Sequence, residues 1–214
     1  MMKISKSRNS LEKPENRDAH PLPGLIFEFT FINHRENFFM RRAVLENIMS
    51  LDPEQLRHAM RAWTTGVAIV TAQHDGHRYG MTVNSFTSIS LDPPLISVAL
   101  KQLTHTHELV EKSSEFSITI LASDQEGLSI RFAGKLPNIQ DRFDDVPIET
   151  LSIPAPLITG GLAFFNCRVV QAIPVGENTL FVAEVIAARG EGEGDPLVYH
   201  NRVYWKLAAP ARPS

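Results

Sequence analysis

The chain has 214 residues, of which 43% are hydrophobic and 21% charged, with a formal net charge of −3. Such a composition belongs to a folded globular protein of one domain, or one domain with an appendage, and the slightly acidic balance argues against a general nucleic-acid surface. A single cysteine, Cys167, excludes an intramolecular disulfide framework and fits a reducing compartment.

In chain order, residues 1–24 are polar and punctuated by Pro14, Pro21 and Pro23, a pattern of disorder. Lys3, Lys6 and Arg8 are not followed by the compact apolar run of a secretory signal. No stretch approaches the roughly 20 apolar residues that cross a bilayer, so a cytoplasmic protein with no membrane association is expected. Residues 25–39 are richer in Ile and Phe but show no period of 2 or 3.6. A conventional domain start comes at Ser50–Glu54. Asp52 is placed to cap a helix, Pro53 to occupy its first position, and Leu56, Met60 and Trp63 follow at helical spacing. Three segments are therefore expected: an extension over 1–49, a domain over 50–209 and a tail over 210–214. The extension reads either as flexible or partner-packing chain, or as a mis-assigned start with the natural one at Met40 or Met49.

From Gly66 onward the β signal dominates. Val67–Thr71 reads as a buried strand, Asp75-Gly76 as a tight turn, and Tyr79–Val83 as the returning strand. Further strands are expected over Leu95–Leu100, Phe116–Leu121, Leu162–Ala172, Leu180–Ala188 and Val198–Leu207, with helices over Pro53–Trp63, Thr106–Lys112 and Asp124–Phe132. Many short strands with isolated helices predict a mainly β barrel rather than a doubly wound parallel sheet.

The stretch from Gly80 to Leu95 is the most informative. Thr82, Asn84, Ser85, Thr87, Ser88 and Ser90 all carry a hydroxyl or an amide, many for a plain barrel strand. Buried groups of this kind cost about 1–3 kcal/mol each without partners. On composition the stretch reads equally as a loop of turn residues or as a strand presenting polar groups to a planar, polar ligand.

Its wording resembles the flavin reductase-like family, whose members share a strand of the form G-x-T-x-N-S-F-x-S-x-S-x-D-P-P-L; every fixed position is met from Gly80 to Leu95. The resemblance extends upstream to Arg61–Val67. Downstream it takes in Thr104-His105-Thr106, Arg131–Gly134, Leu162–Cys167 and Pro196–Tyr199. It implies a split β-barrel of Greek-key type with a few helices, binding FMN, or alternatively FAD. By the same resemblance Thr82, Val83, Asn84 and Ser85 contact the flavin ring edge, with Ser88 and Ser90 nearby. Lys101, Thr104, His105 and Thr106 form the phosphate segment, while Arg131 and Phe132 touch phosphate and ring. Two plainer readings stand beside these: Thr104 as a helix cap and Phe132 as core.

One departure bears on activity. Many family members carry Gly-Asp-His before the penultimate strand, with the histidine on the nicotinamide side. This chain has Gly176-Glu177-Asn178, and Asn178 cannot carry charge or move a proton. Hydride transfer relies mainly on proximity and stacking, so no catalytic acid or base is assigned. The resemblance implies an NAD(P)H-dependent flavin reductase, a homodimer that supplies reduced flavin to a partner monooxygenase. The alternative is a flavin-binding redox protein of the same fold that does not oxidise NAD(P)H. No metal site is expected from His74 and His77 or from His105 and His107. Cys167 reads as an inert core thiol, and Tyr199-His200-Asn201-Arg202 as a hairpin turn with His200 solvated.

Overall fold

The structure, a computed structural model, describes residues 51–136, 139–191 and 194–207, all within the unit Leu51–Ser214. The expectations for 1–49 and for 210–214 lie outside these residues. The Asp52 carboxylate accepts from the Glu54 amide at 3.0 Å and opens helix α1 (Pro53–Ala59), whose first position is Pro53. A 3-10 turn over Met60–Ala62 ends the helix, leaving Trp63 in extended backbone. The expected Pro53–Trp63 helix is thus shorter and buries none of its residues.

The remaining elements in order are β1 (Thr65–Gly66), β2 (Ala68–His74), β3 (His77–Val83), β4 (Thr87–Leu91), β5 (Pro94–Lys101), α2 (His105–Ser113) and β6 (Glu115–Ile120). Then come α3 (Glu126–Phe132), β7 (Ile148–Glu149), β8 (Leu157–Ile158), β9 (Ala163–Val175), β10 (Asn178–Gly190), β11 (Val198–His200) and β12 (Val203–Trp205). Tight turns follow from local chemistry. Asp75 and Gly76 both take positive φ (49° and 78°) between β2 and β3, the primed geometry that matches the twist of a hairpin. Gly176 at φ 59° joins β9 to β10. Asn201 and Arg202 (φ 48° and 66°) turn β11 into β12, the hairpin turn expected over Tyr199–Arg202, so the strand signal over Val198–Leu207 is two short strands.

Seven strands form one antiparallel sheet in the order β3-β2-β6-β9-β10-β5-β4. Its edges, β3 and β4, are consecutive in the chain. The stretch read as one strand from Gly80 is therefore two strands at opposite ends of the sheet, joined by Asn84–Phe86. This topology dictates curvature. Laid flat, seven strands would hold their edges roughly 29 Å apart, whereas the four Cα steps from Val83 to Thr87 reach about 15 Å at most. The sheet must curl until its ends meet, as a barrel left open along one seam: a split barrel. β11, β12 and β1 form a separate three-stranded sheet and β7 and β8 a two-stranded one.

Two packed clusters flank β2. Val70, Val98, Leu100, Phe116, Ile118, Cys167 and Phe181 belong to the first, while Ile69, Leu121, Phe132, Phe143, Ile158 and Leu197 form the second, on the side where α3 packs. Residues from Ala68 to Ala72 are all buried, which is why this strand reads as a continuous apolar run instead of an alternating one.

Candidate functional site

The crossover Asn84–Phe86 is the centre of the site. Thr82, at the end of β3, donates to the Ser129 carbonyl at 2.7 Å. Ser129 in turn shares a 2.8 Å hydroxyl contact with Tyr204. The next residue but one, Asn84, is exposed. Ser85 faces the opposite edge of the sheet: its hydroxyl donates to the Ala99 carbonyl at 2.9 Å and accepts from the Ala99 amide at 3.2 Å. One hydroxyl thus fastens the crossover to β5, two residues before Lys101.

Three adjoining hollows share Asn84. One, of about 250 Å³, lies between Trp63–Ala68 and the crossover. A second, about 140 Å³, is lined by Val67, Thr82, Val83, Lys135, Tyr199 and Tyr204. The third, about 170 Å³, runs toward α1 and the β11–β12 turn. Together they make an open groove with apolar and aromatic walls and the amide of Asn84 at its centre, the balance of surfaces that small-molecule sites show. Such a groove fits a flavin: apolar faces meet the ring, and fixed donors and acceptors meet its polar edge.

The expected residues separate into groups. Thr82, Val83 and Asn84 line the groove, and Ser85 locks its floor. Ser88 and Ser90 lie on β4, beyond the crossover, where Ile89 forms a bulge against β5. Lys101 is exposed and pairs with Glu177 at 3.4 Å. The Thr104 hydroxyl donates to the Lys101 carbonyl at 2.8 Å and accepts from the His107 amide at 3.4 Å, so it caps α2. His105 is exposed and stacks on Tyr79 with ring centroids 4.4 Å apart, whereas Thr106 is buried.

Arg131 is engaged with a neighbouring loop, its Nε buried without a partner among the described residues, and Phe132 differs from the role the resemblance implied. The Arg131 guanidinium donates to the Asp144 carbonyl at 2.5 Å and the Asp141 carbonyl at 3.4 Å, holding a neighbouring loop. Phe132 is 0% exposed and packs edge-on against Phe143. Its ring has no surface to offer a ligand and belongs to the core.

Asn178 begins β10 directly opposite Lys101 and is exposed; its carbonyl accepts from the Gln102 side chain at 3.0 Å. Sequence reasoning did not single out Trp63, Lys135, Tyr199 and Tyr204. Trp63 and Tyr199 lie within segments that carried the resemblance, but the sequence does not say that their elements, β11 above all, fold back beside β3. His105 is exposed while His107 is buried, its Nε2 2.8 Å from the Thr179 hydroxyl, and His74 and His77 stand opposite each other at the β2–β3 turn, where His74 lies 3.3 Å from the Asp75 carboxylate. Burial pushes the Cys167 thiol up to about 12, the state of an unreactive core group. Among the described residues no helix is long and apolar enough to cross a membrane.

An antiparallel sheet curled onto its own edges, with a polar crossover opening into an apolar groove, defines the class: a split-barrel, flavin-binding fold. The flavin reductase like domain family matches residues 60–208, and the chain belongs to that family. It is 38% identical to the reductase component of 4-nitrophenol 4-monooxygenase/4-nitrocatechol 2-monooxygenase of Rhodococcus opacus, over 73% of this chain and 82% of that protein. It is also 38% identical to the FMN reductase (NADH) SmoA of Agrobacterium fabrum, over 71% of this chain and 84% of the relative. Among solved structures, the flavin reductase PheA2 in its native state superposes with a TM-score of 0.69 at 35% identity, covering 74% of this chain and all of that one.

Proposed function

We propose that the protein is an NAD(P)H:flavin oxidoreductase that reduces FMN and hands the product to a separate monooxygenase. The relatives named as an NADH-dependent FMN reductase and as a monooxygenase reductase component support this reading. The observation that carries it is the placement of Asn84 on the crossover, at the junction of three hollows. The activity is assigned to residues 50–209, with 1–49 an extension and 210–214 a tail, and to the cytoplasm, where a nicotinamide pool supplies hydride.

Bound flavin supplies a hydride acceptor, and reduction adds negative charge along its pyrimidine edge. The side-chain amide of Asn84 both donates and accepts at that edge. Thr82 and Ser85 hold the backbone on either side of it through their bonds to Ser129 and Ala99. Lys101 and the capped start of α2 take the flavin phosphate, an anion suited to a helix N-terminus and a cation. Val67, Val83, Tyr199 and Tyr204 exclude water from one side of the groove. His105 and Thr106 form the start of α2, Ser88 and Ser90 lie beyond the crossover on β4, and Phe132 acts through the scaffold.

The second reading, a flavin carrier that does not oxidise NAD(P)H, is favoured by one residue, Asn178, which cannot transfer a proton. Following nicotinamide absorbance with FMN present separates the two. The reductase oxidises NADH; flavin quenching without oxidation leaves only the carrier. Within either reading, Asn84→Ala weakens FMN binding about tenfold, the loss expected for one well-placed polar pair, and unchanged affinity would sink the placement of the ring.

A homodimer is also proposed. The edge strand β4 exposes Ile89 and Leu91, and the outer half of β9 exposes Val170 and Val175. Unpaired edges and apolar outer faces of this kind are commonly covered by a second copy. Sedimentation at micromolar concentration reports the mass directly.

A further inference from the structure

The hollow that runs from Asn84 toward α1 is chemically unlike the other two. Its lining includes Arg57, Arg61 and Arg202 beside Met60, Trp63 and Tyr199, and no carboxylate. Arg57 is paired with Glu54, whereas the Nε of Arg61 is buried with no hydrogen-bond partner among the described residues. A buried donor left unmet is costly and marks a position where an acceptor is missing. The backbone sets these groups in place: the Asn201 amide donates to the Arg61 carbonyl at 3.0 Å, clamping the 3-10 turn to the β11–β12 turn, and the left-handed Arg202 (φ 66°) stands in that same turn.

We infer that this hollow binds the adenosine diphosphate portion of the nicotinamide donor. Guanidinium groups match phosphate oxygens in charge and fork geometry, and the exposed indole of Trp63 offers a face on which an adenine stacks. The inference rests on the flavin reading, which puts the ring at Asn84 and the flavin's own phosphate at Lys101 and Thr104. That assignment leaves Arg61 and Arg202 beside the ring without an anion among the described residues. A donor whose nicotinamide lies on the ring brings its diphosphate to the ring's neighbourhood. FAD carries the same adenosine diphosphate, but attached at the Lys101 end, so it reaches the arginines only when folded back.

The test uses the full chain and the double variant Arg61→Gln/Arg202→Asn; asparagine tolerates the left-handed backbone at 202. Calorimetry with ADP gives the direct reading, and it needs no flavin. FMN and FAD affinities come from fluorescence quenching, and the KM for NADH from steady-state rates. The expected result is ADP affinity and the KM for NADH both worse by about tenfold, the scale of one lost charge-assisted contact, with FMN and FAD affinities unchanged. A selective loss of FAD over FMN, with the KM for NADH unmoved, overturns the donor assignment and gives the hollow to FAD. Equal ADP binding by the two proteins, no ADP binding by either, or a parallel loss of FMN affinity overturns the site itself. Failure of the flavin reading is seen separately, as a native protein that does not quench FMN.

Discussion

At the scale of single residues, Gly80 shows why a fixed small residue stands in the most informative stretch. A Cβ there would lie 2.8 Å from one ring carbon of Phe132 and 3.2 Å from the Thr71 methyl. Phe132 cannot yield, because its ring is held by Phe143 and its carbonyl by the Arg142 guanidinium at 2.9 Å. Gly80→Ala therefore destabilises by about 1–3 kcal/mol, read as a lower urea midpoint at unchanged slope. Lys101 is the counterpart on the ligand side. It is 64% exposed and its pair with Glu177 is a surface one, worth little to stability. Lys101→Met should leave the urea midpoint in place yet weaken FMN about tenfold, while riboflavin, which lacks the phosphate, binds as before. Equal weakening of both would place the cation against the ring instead.

At the scale of elements, α2 depends on the residue that precedes it. Thr104 both caps the helix and ties the loop to Lys101. Thr104→Ala is expected to cost about 1 kcal/mol, within the usual range for a lost cap, and Thr104→Ser to restore most of it; denaturant titration checks both. This cap was legible in the sequence, as were the start of α1 at Asp52-Pro53 and the Asp75-Gly76 turn, because each is set by residues within a few positions. The stretch from Gly80 to Leu95 was legible as chemistry but not as topology. Alternation and polar side chains are properties of a strand, whereas its partner in the sheet is decided by contacts distant in the chain. The same limit applies to Phe132, whose burial depends on β3 and on Phe143, whereas the hairpin turn over Tyr199–Arg202 was legible locally even without a glycine. Trp63 and Tyr199 entered the groove through pairings of β1 with β11, two residues long, too short to leave a pattern.

At the scale of the molecule, the three-residue crossover governs both shape and site. Its shortness forces the curl of the sheet, and its residues face the groove on one side and β5 on the other. Lengthening it separates the two roles. Inserting two glycines between Phe86 and Thr87 adds little to the closure entropy, about 0.6 kcal/mol even for a doubling of loop length. The far-UV circular dichroism and urea midpoint should therefore stay close to native, while FMN affinity falls by at least about tenfold as Asn84 loses its fixed position. An inserted protein that binds FMN normally would show that the groove does not need a taut crossover.

The same crossover has a thermodynamic corollary for turnover. A ligand seated on the joint where a curled sheet meets itself acts as a clasp on a hoop. At a hundredfold excess over its dissociation constant such a ligand adds about 2.7 kcal/mol to the folded state. A reductase that surrenders its flavin to another enzyme gives up that reinforcement in every cycle and regains it with the next molecule bound. The barrel is then at its loosest between turnovers, when it must admit a new flavin, and at its tightest when the reacting pair has to be kept from water.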